Sequence, residues 1–129
     1  MFGGNPFVLI SAREISDPLT GLVKQLEQAA AKHYGGKRGS VVVINSEEVG
    51  LDQKLKELAE KEEWKTVLLS IYPNPAGHPK YEFSAEAEVT VVGFHRRKVV
   101  FNFAFRKGAL DEKATAKIVA LLPDFYKAP

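Results

Sequence analysis

Ser16, Asp17 and Pro18 stand where a β-branched apolar run, FVLIS, gives way to an amphipathic stretch. A strand that turns into a helix presents unpaired backbone N–H groups, and such an end can hold a nucleophile or an anion. The nucleophile type offered here is the Ser16 hydroxyl. A serine hydroxyl is not ionised near neutral pH unless a base activates it, and no neighbouring residue has the character of that base. Asp17 beside it opposes formation of a second negative charge. Ser-Asp-Pro is also a common helix start, with the serine or the aspartate as cap and the proline in the first turn. The residues alone therefore point to a structural turn.

The remaining chemistry-bearing residues are scattered. His33, His78 and His95 fall on a helix end, a loop and a hairpin tip, none at metal-ligand spacing from another ligand type, so no metal site is expected. "HRRK" (95–98) is the densest basic cluster, and Arg96, Arg97 and Lys98 can meet phosphate or an acidic partner. No aromatic residue is interleaved with it to stack on bases. "GGKRGS" (35–40) runs from helix to strand, whereas a phosphate-cradling loop runs from strand to helix. Glu47/Glu48 and Glu62/Glu63 are adjacent on helix surfaces and point apart, which is unsuited to paired acid–base work. In the loop "YPNPAGHPKY", Tyr72, His78 and Tyr81 can line a concave edge that binds.

The totals bound these readings. A chain of 129 residues with 45% hydrophobic and 26% charged residues suits one globular domain, here residues 1–129, with a self-sufficient core. The net charge of +2 argues against a dedicated nucleic-acid binder. No apolar run reaches the length of a membrane span, and "MFGGNPFVLI" lacks the pattern of a signal peptide. There are no cysteines, hence no thiolate nucleophile, disulfide or cysteine metal site within these residues. The start "MFGG" directly before a strand is abrupt, as in a trimmed N-terminus. The compartment is left open between the cytoplasm and, with such trimming, export.

The elements that must position these groups follow from periodicity. "NPFVLISAR" (5–13) reads as a buried strand. From Pro18, Leu19, Leu22, Val23, Leu26 and Ala30 recur at helical spacing, closed by Gly35-Gly36. "GSVVVINS" (39–46) is a second strand, and Ser46 is expected to cap a helix with Glu47 and Glu48 in its first turn and Leu51, Leu55, Leu58 and Ala59 inward. "KTVLLSIY" (65–72) is a third strand, "PNPAGHP" (73–79) a loop, and "KYEFSAEA" a short helix or turn. "EVTVVGF" and "KVVFNFAFR" form a hairpin, with Val99, Phe101, Phe103 and Phe105 on one face and Val100, Asn102 and Ala104 on the other. "LDEKATAKIVALL" is a last helix, capped by Asp111, with Ala114, Ile118, Leu121 and Leu122 inward. The order β-α-β-α-β-loop-β-β-α implies a mixed central sheet covered on both faces.

This order, with a strand running into a turn and a long helix and a closing hairpin plus helix, resembles the thioredoxin-like superfamily. The added strand "TVLLSIY" and the segment "HPKYEFS" are similar to its peroxiredoxin-type branch. The resemblance implies a three-layer α/β/α sandwich and places Ser16-Asp17-Pro18-Leu19 where the family has Cys-x-x-Cys. Both cysteine positions are replaced, and the family's cis-proline would fall near Glu88-Val89-Thr90, where there is no proline.

The expected function is a non-catalytic protein-interaction or structural module without a cofactor. Its surface would be Ser16, Asp17 and Pro18 with the 73–81 loop, or the hairpin. Its partner is an unidentified protein, or a second copy meeting the Val100/Asn102/Ala104 face. The alternative is the scaffold of a thiol oxidoreductase whose cysteines lie in a segment upstream of residue 1.

Overall fold

The structure is a computed structural model that describes residues 6–35, 39–46, 49–72, 88–96, 98–106 and 109–127, without the side chains of Tyr72 and Lys127. The chain runs β1 (Phe7–Ala12), α1 (Asp17–His33), β2 (Ser40–Asn45), α2 (Leu51–Glu62), β3 (Val67–Tyr72), β4 (Val89–His95), β5 (Lys98–Phe105) and α3 (Glu112–Lys127). The loop expected at 73–79 and the segment "KYEFSAEA" lie outside the described residues.

The five strands form one sheet in the order β3-β2-β1-β4-β5. β1, β2 and β3 are parallel, and β4 and β5 continue the sheet antiparallel. Both helical crossovers step the same way across the sheet, so right-handed connections place α1 and α2 on one face. α3 joins them there. The pairings put Val8, Ile10 and Ala12 in line with Val42 and Ile44 on one side and Val91 and Val89 on the other. These residues, with Leu22 and Leu26 of α1, Leu51 and Leu55 of α2 and Ile118 and Leu122 of α3, make the buried core. The second covering layer expected on the opposite face falls outside the described residues. That face carries a buried polar pair, Asn45 donating to the Ser11 hydroxyl.

Several local expectations are corrected. Ser46 does not cap α2. The helix starts after Gly50, whose φ of 80° is a left-handed turn that glycine adopts without strain, and no side chain caps it. Glu47 and Glu48 therefore precede the helix and lie outside the described residues. Helix α3 does not stop at Leu122 but continues through Pro123. An interior proline costs about 3 kcal/mol. Burial of Phe125 and Tyr126 beyond it offsets this, because each aromatic ring removes on the order of 150–250 Å² from water. Leu121, expected inward, is 41% exposed. In the hairpin the pairing slips between Gly93 and Phe94, leaving Val100 without a direct partner. The bulge breaks the alternation, so Val99 is exposed and does not share the packed face of Phe101, Phe103 and Phe105.

Candidate functional site

The strand-to-helix turn is built by its own side chains. Ser16 has extended backbone angles, and its hydroxyl accepts the N–H of Leu19 at 3.3 Å, which makes Ser16 rather than Asp17 the cap. Thr20 donates its hydroxyl to the Ser16 carbonyl at 3.0 Å. Asp17 and Pro18 fill the first turn and are exposed, and Leu19 is 3% exposed in the core. A hydroxyl held by the helix start, followed three residues later by a buried leucine, holds the helix in place and carries no reactive pair.

The turn opens onto a groove of about 990 Å³ between the first halves of α1 and α3. Pro18 and Gly21 form one wall, and Leu110, Ala116, Val119 and Ala120 the other. Gly21 is exposed, and a Cβ there would meet nothing within 4 Å. Three acids, Asp17, Asp111 and Glu112, line the groove, and among the described residues no lysine or arginine does. Asp111 is committed to capping α3, accepting the Ala114 N–H at 2.9 Å. Two helix N-termini meet here, each worth about +0.5 charge, so they offset about one of the three negative charges. The groove is largely apolar, with Gln25 and Thr115 as its neutral polar lining, and acidic at the helix starts.

The other expected site residues are dispersed. Arg96 and Lys98 are exposed at the β4–β5 tip, with Arg96 at φ 54°. Phe94 pairs with Phe7, at the start of β1, so this tip lies at the opposite end of the sheet from Ser16. Six strand residues separate the two ends by about 20 Å. Tyr72 ends β3 beside Asn45, at the same end as the turn. His78, Tyr81 and Arg97 lie outside the described residues. Among the described residues no group of three metal-ligating side chains converges. Sequence reasoning found the α1 side of the groove and missed α3, because a helix pattern does not disclose which helix it lies beside.

A second polar assembly ties the far ends of α1 and α3 to the sheet. The Tyr126 hydroxyl donates to the Gly39 carbonyl at 3.1 Å and lies 3.2 Å from the Ser40 hydroxyl. Burial, only partly offset by the Ser40 contact, pushes the Tyr126 phenol up to about 12. Its ring stacks on Tyr34 at 4.9 Å, and desolvation also raises the Tyr34 phenol.

No family model and no curated protein matches the sequence. Solved structures do. A proposed protein disulfide isomerase from Bacteroides thetaiotaomicron superposes with a TM-score of 0.68 at 16% identity, over 96% of this chain and 75% of that one. A secreted disulfide oxidoreductase of Mycobacterium tuberculosis homologous to E. coli DsbE gives 0.60 at 16%, over 94% and 84%. A cysteine-to-serine mutant of Peroxiredoxin 6 from Arenicola marina gives 0.54 at 14%, over 94% and 61%. Identities this low establish architecture alone, and by its strand order, its helices and these neighbours the chain has the thioredoxin-like fold.

Proposed function

We propose that this chain is a non-catalytic protein-binding domain built on the thioredoxin-like scaffold. The observation that carries the reading is the chemistry at the start of α1. The two positions that the family resemblance gives to thiols hold a helix-capping hydroxyl and a core leucine. Thiol–disulfide exchange needs a sulfur nucleophile and a second sulfur to resolve it. Ser16 and Leu19 supply neither.

The surface assigned to the partner is the α1–α3 groove, which continues from the expected residues Asp17 and Pro18. Its apolar walls and acidic end suit a segment with an apolar face and a lysine or arginine at one end. Gly21 supports this use, since an exposed glycine inside a helix costs about 1 kcal/mol relative to alanine and fills no space within this molecule.

The test is a photo-reactive amino acid placed at Gly21, where a side chain has room, in cells that make the full chain. A discrete adduct to one protein is expected, and it should be lost when Asp17 and Glu112 are both replaced by lysine. No adduct from this position, or an adduct indifferent to those charges, would overturn the assignment of the groove.

A further inference from the structure

The outer edge of β5 is the second surface that calls for a partner, independently of the groove. β5 is the terminal strand of the sheet, and among the described residues no strand pairs with its far side. Such an edge presents a row of free backbone donors and acceptors. Folded proteins usually protect it with a charge or proline in mid-strand. Here the seven residues Val99–Phe105, VVFNFAF, contain neither. A β-prone, uncharged segment on an open edge is an aggregation hazard unless something occupies it. Val99 and Val100 are 57% and 56% exposed, whereas on β3, the opposite edge, no described side chain is among the exposed large apolar ones. On the core-facing side Phe101, Phe103 and Phe105 form a row, with ring centroids 5.9 and 6.3 Å apart. An added strand would lay alternate side chains beside these half-buried rings, and aromatic–β-branched neighbours are favourable cross-strand pairs.

The charges at the two ends of this run select the occupant. Lys98 precedes it and Arg106 follows it. Antiparallel pairing with a second copy, centred on Asn102, would put Lys98 opposite Arg106 twice, and directly opposed like charges are destabilising. A segment with acidic ends reverses the sign of both contacts. We propose that the edge of β5 docks an extended segment of another protein, added as a sixth strand, that is uncharged and β-branched through its middle and acidic at both ends. This is recognition by strand addition, in which main-chain hydrogen bonds give affinity and end charges give selectivity.

The experiment is residue-resolved amide exchange on the full chain at low salt. The probes are two synthetic peptides with the same Thr/Val core spanning Val99–Phe105, one with glutamate at both ends and one with lysine. The glutamate-ended peptide is expected to slow exchange at alternate residues of β5, because outward N–H groups recur every second residue. The lysine-ended peptide should bind at least about fivefold more weakly, the upper range for a cross-strand charge pair. Lys98→Glu, a change at the exposed first residue of β5, should narrow or invert that preference while leaving the spectrum of the free protein intact. Absence of slowing with the glutamate-ended peptide, or equal slowing with both, would overturn the proposal. Slowing of the same amides with rising protein concentration and no peptide would also overturn it, by making a second copy the occupant.

Discussion

Alkaline titration of Tyr126 gives a stability signature that can be worked out in advance. In the unfolded chain the phenol loses its proton near 10, whereas burial raises it to about 12 in the fold. Between these values the unfolded state has released a proton that the native state keeps. Stability therefore falls as pH rises through this window, and the contribution is fully present below 10. One pH unit into the window, at about pH 11, the loss is about 1.4 kcal/mol, and below about pH 9 it is negligible. Tyr126→Phe removes this dependence. At neutral pH the same substitution leaves the Gly39 carbonyl and the Ser40 hydroxyl without the phenol, which costs about 1–3 kcal/mol. The assay is the denaturant midpoint of both proteins from pH 8 to 11. Lysine titration and the raised Tyr34 phenol are common to both, so they cancel in the difference to first order. The stability gap should narrow by about 1.4 kcal/mol across that range. A gap that stays constant would refute the claim that the phenol is buried and protonated in the native state.

The other packing claims are equally open to measurement. In Gly93→Ala the new Cβ would sit 2.2 Å from Cε2 of Phe101, so the ring must leave its 5.1 Å edge contact with Phe125, at a cost of about 1–3 kcal/mol by thermal melting. Glu27 of α1 accepts the backbone N–H groups of Lys65 and Thr66 and the Thr66 hydroxyl, joining the first helix to the start of β3. Glu27→Ala should cost about 1.5–3 kcal/mol, and Glu27→Gln less, since the amide keeps one acceptor oxygen. Leu19→Ala opens a cavity under the turn and should cost about 2–5 kcal/mol, against about 1 kcal/mol for Ser16→Ala, both read from denaturant midpoints.

Much of the architecture was legible because local chemistry and tertiary placement agree. FVLIS, VVVIN and VLLSIY are short β-branched runs, and each lies in a strand with at least one parallel neighbour. Ser16 and Asp111 have the chemistry of helix starts, and both accept the expected backbone N–H groups. The failures occur where a distant contact decides. Pro123 reads as a stop, and the helix passes through it because Phe125 and Tyr126 are buried in the core. Ser46-Glu47-Glu48 reads as a helix start, yet the left-handed turn at Gly50 places it later. The hairpin alternation was sound until the bulge opposite Gly93 shifted Val99 and Val100. The groove needed the first and last helices of the chain to run side by side, as Asp17 and Asp111 in one groove and Tyr34 against Tyr126 require. No pattern within either helix encodes that pairing.

Ser16→Gly tests most simply whether the turn is architectural. Glycine is itself an acceptable helix cap, within a few tenths of a kcal/mol of serine, so this change deletes the hydroxyl and keeps the helix. The measurement is the yield of the Gly21 photo-adduct in the Ser16→Gly chain, alongside its unfolding free energy. An unchanged adduct and a stability within about 0.5 kcal/mol of the parent are expected. Loss of the adduct from a chain that remains equally stable would show that the Ser16 hydroxyl takes part in function, and would contradict the reading.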